Sequence, residues 1–324
     1  MSNALRRRLL TGLAAAPVLI GAPALVLSQG SKPLFIFLTD GGSSNTLARI
    51  LGERLRLKLN RPVVLESRSG AGGLLAIQYL RTFDNDGSCL VMDSSSAVPL
   101  LPLFSTKPFD PERVLQPVVE CARAPVALTV HAAVGLRTLH EYFDAVRLNW
   151  DLGSVGVPSP VSMGALVVHE LARDMKLPLQ VVAYRGDAPL IAHLLGQQIP
   201  ASGSILSDSL KYHRAGSLRI LAHAGEQRSP IAPDIPTFAE AGYPGYVAVT
   251  SSGLYAKAGT PRSIAADYAA IVTEALAEQQ MVELLHKMGM VPMGGTPAEF
   301  HQKVIADRAR WAPIVRKYGM SMDS

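Results

Sequence analysis

The chain has 324 residues, of which 48% are hydrophobic and 18% are charged, and its formal net charge is +5. This composition excludes a disordered or low-complexity chain and provides enough apolar residues for a packed interior. A length above three hundred residues exceeds what one core usually organises, so we expect two lobes.

The first residues have the composition of an export signal. Three arginines at 6–8 precede an uncharged apolar run at 9–27, which contains the small-x-small pattern of a signal-peptidase site at 22–24. We predict a signal peptide over 1–24, cleavage near Ala24 and a mature protein in the periplasm. A retained membrane anchor is the alternative, because the run is close to bilayer-spanning length. The sequence does not separate Sec export from twin-arginine export.

Most of the positive charge belongs to this leader. Removing 1–24 removes three arginines and no acidic residue, so the formal charge falls from +5 to +2. A nearly neutral mature chain lacks the basic surface that nucleic acid requires, and we expect no nucleic-acid partner.

Cysteine and histidine spacing gives no sign of a metal site. Cys89 and Cys121 both lie in apolar, strand-like segments, which fits either buried free thiols or one disulfide. There is no C-x-x-C pair and no zinc-type spacing, and no two histidines are separated by four positions. We expect neither a metal nor a cofactor.

The segment 35–73 contains two glycine-rich loops that each precede a helix. The strand Phe35–Leu38 runs into Asp40-Gly41-Gly42, after which leucines recur at helical spacing. A second strand, Pro62–Leu65, ends in another glycine-rich loop at 70–73. Such loops suit an anion, a carboxylate or a phosphate, because first-turn N–H groups lack intrahelical acceptors and lie at the positive end of the helix dipole.

A helix over 74–83 and a strand Ser88–Met92 complete a β-α-β-α-β unit. This order predicts a parallel sheet with right-handed crossovers. The first and third strands would end side by side, at 40–44 and 93–96. Ligands bind beyond the carboxyl ends of parallel strands at such a switch point.

A second unit of the same kind follows in the middle of the chain. Thr138 and Glu141 form a capping box for a helix reaching about Asn149. Small-residue loops at 153–162 and 184–189 again precede helices. The predicted strands of this unit are Val126–Val130, Trp150–Leu152, Leu179–Ala183, Gln198–Ser202 and Ser217–Ala222.

Motifs of catalysis are absent from the sequence. There is no G-x-S-x-G elbow, no H-E-x-x-H and no P-loop lysine, and the loop at 70–73 lacks the G-x-G-x-x-G spacing of a dinucleotide site. We therefore expect a binding protein rather than an enzyme. An exported α/β enzyme, with a catalytic set that assembles only in three dimensions, is the alternative.

Six segments, in order and spacing, resemble the Bug-type receptors, the extracytoplasmic solute-binding component of tripartite tricarboxylate transporters. These segments are GGSSNTLAR (41–49), RPVVLESRSGAGG (61–73), LPLFSTKPFDPERVLQPV (101–118), YRGDAPLIAHLLGQQI (184–199), RSPIAPDIPTFAEAGYPGY (228–246) and TPAEFHQKVIADRARWAPIVRKYG (296–319).

The resemblance implies an α/β protein with the type II periplasmic-binding-protein fold, in which two α/β lobes are joined by a hinge crossed twice. One lobe would hold 31–123 and 226–324, and the other 124–225. It also implies small carboxylate ligands, held by loop backbone, small side chains and bridging waters.

Carried over residue by residue, the ligand loops of the family fall on Thr39–Asn45, Asp93–Ala97, Gly153–Ser162 and Tyr184–Pro189, with a further contact near Gly203–Ile205. The candidate ligand-binding residues are Thr39, Asp40, Gly42, Ser43, Ser44, Asn45, Ser94, Ser95, Ser96, Ser154, Gly156, Ser159, Ser162, Tyr184, Arg185, Gly186, Asp187 and Ser204.

The chain departs from the family pattern at several of these positions. Asp40 stands where the family usually has proline, Asn45 where aspartate is frequent, and Asp187 where serine is common. Pro200 and Ser204 replace two frequent aspartates. The identity of the ligand therefore does not carry over from the resemblance.

The acidic loop residues bear on ligand class. A carboxylate at Asp40 would repel a plain dicarboxylate but could pair with a cationic nitrogen on the ligand, so we hypothesise a zwitterionic or nitrogen-bearing acid. A solvent-facing Asp40 is the alternative. Asp187, two residues before Pro189, has the pattern of an ordinary helix N-cap.

The predicted function is that of a monomeric periplasmic receptor. Its lobes would close around a small organic acid by hinge motion, and it would deliver the acid to membrane transporter subunits. Presentation of the ligand to a membrane sensor kinase is an alternative that the sequence does not separate from uptake.

Overall fold

The computed structural model describes residues 32–39, 43–68, 70, 73–93, 97–104 and 110–318. The predicted signal peptide lies outside these residues. The same holds for the candidate residues Asp40, Gly42, Ser94, Ser95 and Ser96, and for the side chains of Ser43 and Ser44.

Strands and helices alternate through most of the described chain. The strands are β1 (Leu34–Leu38), β2 (Val63–Ser67), β3 (Cys89–Asp93), β4 (Leu115–His131), β5 (Ser154–Val157), β6 (Gln180–Ala183), β7 (Ala201–Ile205), β8 (Leu218–His223), β9 (Val249–Lys257) and β10 (Val291–Pro292). The helices are α1 (Ser43–Leu59), α2 (Leu74–Leu80), α3 (Ala97–Phe104), α4 (Leu139–Leu148), α5 (Met163–Asp174), α6 (Asp187–Leu195), α7 (Leu206–Arg214), α8 (Arg262–Ala277), α9 (Gln279–Lys287) and α10 (Pro297–Tyr318).

The first β-α-β-α-β unit folds as predicted. β1 lies between β2 and β3 and pairs with both in parallel, so that Leu38 lies beside Met92 where the two strands end. The apolar stripe of α1 is buried: Leu47, Leu51 and Leu55 are at most 1% exposed. β9 pairs with the free side of β3 in antiparallel orientation.

A single long strand, β4, joins two half-sheets. Up to Pro125 it pairs with β9, which places it in the first half-sheet with β2, β1 and β3. From Val126 onward it pairs with β7 and β8, in the second half-sheet with β5 and β6. The predicted strand Val126–Val130 was therefore only the second part of a longer element. Pro117, Pro125 and charged residues in the first part hide the apolar pattern that a buried strand usually shows.

The chain returns to the first half-sheet at the end of β8, beside the point where β4 leaves it. The Ala224 N–H donates to the Val126 carbonyl at 2.7 Å, and the Ala248 N–H donates to the Ala224 carbonyl at 2.7 Å. The Val126 N–H in turn donates to the Ala248 carbonyl at 2.9 Å. Three backbone segments thus meet at one narrow connection, which is crossed by β4 and again by the segment after β8.

Two predicted strands of the second half-sheet were displaced. Trp150–Leu152 is not a strand but part of a 3-10 turn, Trp150–Gly153, and β5 begins only at Ser154. The turn forms because the Asn149 side chain accepts from the Asp151 N–H at 3.1 Å. The Tyr142 hydroxyl also donates to the Leu152 carbonyl at 2.9 Å.

The other displaced strand is β7, which runs over Ala201–Ile205 rather than Gln198–Ser202. Gln197 has a positive φ of 55°, and the Gln198 N–H still bonds back to the His193 carbonyl at 2.9 Å. The end of α6 therefore occupies the predicted start of the strand.

The last helix contributes to the cores on both sides of the connection. Phe300 and Val304 of α10 pack with Tyr255 in the core of the first half-sheet. About two turns further along the helix, Trp311 and Val315 pack with the core that covers the second half-sheet. α10 therefore links the two parts of the fold in addition to β4.

Both cysteines are buried free thiols, which decides between the two possibilities left by the sequence. β9 lies between β3, which carries Cys89, and β4, which carries Cys121. Two strand spacings amount to about 10 Å, beyond the ~7 Å that a disulfide can bridge between Cα atoms. Burial raises the pKa of the Cys89 thiol to about 12 and also raises the pKa of the Cys121 thiol.

Candidate functional site

Three helices of the second half-sheet begin at the same edge. β5 pairs in parallel with both β6 and β7, so these strands end on one side of the sheet. They lead into α5, α6 and α7, whose first residues are Met163, Asp187 and Leu206. Each helix start carries a partial positive charge and N–H groups without intrahelical acceptors. This edge is therefore suited to hold an anion.

A small cavity of about 10 Å³ lies among these helix starts, enough for roughly one water-sized group. Its wall includes three of the candidate residues, Ser162, Asp187 and Ser204. Thr250 reaches it from β9, which belongs to the other half-sheet. The full lining is Val126, Pro158, Ser162, Met163, Gly164, Asp187, Ser204, Ile205 and Thr250.

The loop before α5 uses its serines to hold its own shape. The Ser162 hydroxyl caps the helix by accepting from the Ala165 N–H at 3.2 Å, and it donates to the Ser159 carbonyl at 2.7 Å. The Ser159 hydroxyl accepts from the Val161 N–H at 3.3 Å. The cap satisfies the Ala165 N–H, and Met163 and Gly164, the two residues before it in the first turn, line the cavity.

The sequence pattern suggested that Asp187 caps α6, but it does not. Gly186 occupies the N-cap position with a φ of 103°, which favours glycine, and Asp187 is the first helical residue. Its side chain is buried, at 4% exposure. The prediction failed because Asp-x-Pro also fits a helix whose first residue is the aspartate.

Ser204 offers a buried hydroxyl to the cavity. It is 2% exposed, and its Oγ has no hydrogen-bond partner among the residues that the structure describes. Thr250 is also buried, but its hydroxyl donates to the Ala124 carbonyl at 3.0 Å. The lone pairs of Thr250 Oγ1 remain available to accept a hydrogen bond.

A larger cavity of about 510 Å³ shares Asp187 with the small one. This volume lies in the range of small-molecule sites. Thr46, in the first turns of α1, contributes from the side of the first half-sheet. The lining is Thr46, Asp187, Ala188, Ile191, Ala192, Leu195, Ser207, Asp208, Lys211, Tyr212, Lys287 and Met288.

The carboxyl ends of β1 and β3 bring Thr39 and Asp93 together, as the parallel order predicted. The Thr39 hydroxyl lies 3.4 Å from Asp93 Oδ1 and 3.3 Å from the Met92 carbonyl. Both side chains are buried. Asn45, next to the cavity-lining Thr46, has a buried Oδ1 without a hydrogen-bond partner in the described part of the chain.

Four other candidate residues lie away from the two cavities. Ser154 begins β5 and therefore lies at the opposite end of that strand from the helix starts. A Cβ on Gly156 would lie 2.3 Å from Leu190 Cδ1, so this glycine lets α6 approach the sheet. The Tyr184 hydroxyl lies 3.1 Å from His193 Nδ1, and Arg185 is exposed.

Sequence reasoning missed several residues of the site. Thr250, Asp208, Lys211 and Lys287 come from segments without glycine-rich loops, whereas Thr46 lies in the segment GGSSNTLAR, one residue beyond the candidate loop Thr39–Asn45. Asp208 and Lys211 could have been found from the sequence, because α7 begins at Leu206, two residues after the candidate Ser204.

Comparison with known proteins decides the family. The sequence matches the family model described as the tripartite tricarboxylate transporter family receptor over residues 47–320. The chain belongs to this receptor family. The resemblance inferred from the sequence is thus confirmed, and the family consists of solute-binding receptors rather than enzymes.

Relatives of this receptor match it over nearly their full lengths. The Protein BugT of Bordetella pertussis is 28% identical over 325 residues, 99% of each chain. A structure of R. palustris Rpa4515 with adipate has 26% identity and a TM-score of 0.84, covering 89% of this chain and 98% of that one. MatC from Rhodopseudomonas palustris, with bound malate, has 26% identity and a TM-score of 0.79 over 87% and 99%.

These matches confirm the predicted fold class, an α/β periplasmic-binding-protein fold with two lobes. As a member of this family, the receptor is a periplasmic solute-binding protein. Across the described ranges, no helix is both long enough and apolar enough to span a bilayer. The same residues contain no group of three or more His, Cys, Asp or Glu side chains arranged to hold a metal ion.

Proposed function

We propose that this receptor binds a small carboxylate in the cavity between its lobes and delivers it to membrane transporter subunits. The lobe limits that we propose are those predicted from the sequence, 31–123 with 226–324 for one lobe and 124–225 for the other. The change of β4 partners between Pro125 and Val126 supports this division.

The observation that carries the proposal is the small cavity at the start of α5. One oxygen of a carboxylate fits its volume, and Met163 and Gly164, the first two residues of α5, line it at the positive end of the helix. Ser204 adds a hydroxyl that can donate to the same oxygen. The adipate and malate in the two related structures belong to this chemical class.

The larger cavity holds the rest of the ligand, and its position explains how binding closes the two lobes. Thr46 from one lobe and Asp187 from the other both line it, so a ligand held there contacts both lobes at once. A ligand that binds the closed arrangement better than the open one shifts the population toward closure. Transporter subunits can then distinguish the loaded receptor by its shape.

Thermal unfolding with a panel of dicarboxylates, aromatic acids and amino acids tests the proposal. A matching acid at about one hundred times its Kd adds about 2.7 kcal/mol to the free energy of unfolding, which raises the Tm by several degrees. Added EDTA should change neither the unfolding curve without ligand nor the curve with ligand. A panel that leaves the Tm unmoved contradicts the proposal.

Variants of two serines locate the binding site. Ser204→Val fills the small cavity and should abolish the ligand-induced rise in Tm. Ser263→Val, at an exposed position of α8, is the matched control and should retain it. Delivery is tested in cells: deleting the gene should abolish uptake of the identified acid, and wild-type receptor, but not Ser204→Val, should restore it.

A further inference from the structure

Two buried carboxylates face the cavity that we assign to an acidic ligand. Asp187 is 4% exposed and Asp208 is 6% exposed, and both line the larger cavity. They lie in the first turns of α6 and α7, where the helix dipoles stabilise negative charge. Of the two, only Asp187 also lines the small cavity.

This arrangement is unfavourable for a plain dicarboxylate. A ligand carboxylate in the small cavity would have the Asp187 carboxylate in the same wall, and two like charges in one buried site repel. The repulsion disappears when a cationic group of the ligand lies between them, because it attracts both carboxylates. Asp187 therefore restricts what can be attached next to the ligand carboxylate.

Independent evidence for a ligand at this point comes from Ser204. Its hydroxyl is buried, has no partner among the described residues and lines the same small cavity as Asp187. Buried hydroxyls are normally hydrogen-bonded, so this group is suited to a bound molecule. The wall also carries acceptors, the lone pairs of Thr250 Oγ1 and the Asp187 carboxylate. The residues that line the small cavity therefore include both a hydrogen-bond donor and hydrogen-bond acceptors.

We propose that the receptor selects a zwitterionic acid, with a protonated amine on the carbon next to the carboxylate, and that Asp187 determines this selectivity. The inference rests on the proposed function and names the ligand class of that site. The carboxylate contacts the N–H groups of Met163 and Gly164, and the ammonium donates to Asp187. Lys211, Lys287 and Asp208 line the larger cavity, which holds the remainder of the ligand.

The test uses pairs of acids that differ only in the amine. Succinate is compared with aspartate, and adipate with 2-aminoadipate, by titration calorimetry on the full mature receptor. We expect the aminated member of at least one pair to bind at least tenfold more tightly than its partner. Asp187→Asn, which keeps the size of the side chain, should weaken the aminated acid at least tenfold and leave the plain acid unchanged or tighter.

Two further variants isolate the effect of position. Asp267→Asn removes an exposed carboxylate of α8 and should change neither affinity. Asp187→Ser should reproduce Asp187→Asn, which separates the loss of charge from the introduction of an amide. Urea unfolding of each variant without ligand confirms that it is folded.

The outcomes are distinguishable. Plain acids that bind wild type as tightly as their aminated partners overturn the inference but leave the carboxylate receptor in place. Equal weakening of both members by Asp187→Asn does the same, since it assigns Asp187 a structural role. If no acid of either kind binds wild type, neither in these pairs nor in the thermal panel, the proposed function itself fails. The comparison of paired acids on wild type needs no variant to fold.

Discussion

Gly164 and Gly203 are in direct backbone contact, and a Cβ built on Gly164 would lie 1.9 Å from the Gly203 carbonyl oxygen. Gly164 is the second residue of α5, and Gly203 is the middle residue of β7. The contact brings the start of α5 onto the strand that carries Ser204. The small cavity therefore depends on the absence of a side chain at Gly164.

Gly164→Ala should disrupt this contact. A methyl group must displace backbone rather than a flexible side chain, so we expect a loss of about 1–3 kcal/mol in the free energy of unfolding. The displaced helix start should also weaken ligand binding. Urea unfolding and calorimetry measure the two effects. Gly196→Ala is the control, because its nearest contact would be 3.3 Å away; equal stability of the two variants would contradict the prediction.

Two buried threonines should respond in opposite ways to replacement by valine. Thr129 lies directly across from Ser202, and its hydroxyl has no partner among the described residues, whereas the Thr250 hydroxyl donates to the Ala124 carbonyl at 3.0 Å. Thr129→Val should leave stability unchanged or raise it by up to about 1 kcal/mol, and Thr250→Val should lower it by about 1 kcal/mol. Urea unfolding decides. The reverse order would show that Thr129 has a bonding partner.

His223 should make stability fall in acid. Its ring is fully buried at the end of β8, and Nδ1 accepts from the Gly225 N–H at 3.1 Å. Burial lowers the pKa of His223 from 6.5 to about 4. The unfolded chain then binds the proton more readily than the native protein, so stability is complete above about pH 6.5 and declines as the pH falls toward 4. The loss is at most about 3 kcal/mol.

Urea unfolding between pH 7 and pH 4.5 measures this dependence. His223→Gln removes the titrating group, and its stability should depend less on pH than that of wild type. Burial also lowers the pKa of His169, but this residue is present in both proteins and its contribution cancels in the comparison. Parallel pH profiles for the two proteins would disprove the assignment to His223.

The cysteines should be unreactive until the protein unfolds. Cys89 and Cys121 are each at most 1% exposed, and burial raises the pKa of both thiols, so neither access nor thiolate is available in the native state. Ellman's reagent should detect no thiol in native protein and two in guanidinium chloride without reductant. A result of none in guanidinium chloride would reveal a disulfide.

Local patterns in the sequence were enough to predict the first β-α-β-α-β unit. The apolar spacing of Leu47, Leu51 and Leu55 and the glycines around them determine a β-α-β unit whose pairing follows from general handedness rules. The side-by-side ends of β1 and β3, with Thr39 beside Asp93, could be predicted for the same reason.

The predictions failed where the structure depends on distant partners. β4 was only partly recognised because its first part is a strand through pairing with β9, and not through a local apolar pattern. Lys287 and Thr250 reach the cavities from segments far along the chain, and nothing in their neighbourhood marks them. Asp187 was identified as a candidate, but whether it caps a helix or lines a cavity depends on the conformation of Gly186.

The position of β9 beside β3 also constrains the order of folding. β3 ends at Asp93, whereas β9 begins only at Val249, so the first half-sheet cannot be completed until most of the chain has been made. Until then β3 keeps an unpaired edge, and contacts between segments so far apart in sequence generally form slowly. A chain synthesised from its amino end thus keeps the first half-sheet incomplete for most of its synthesis.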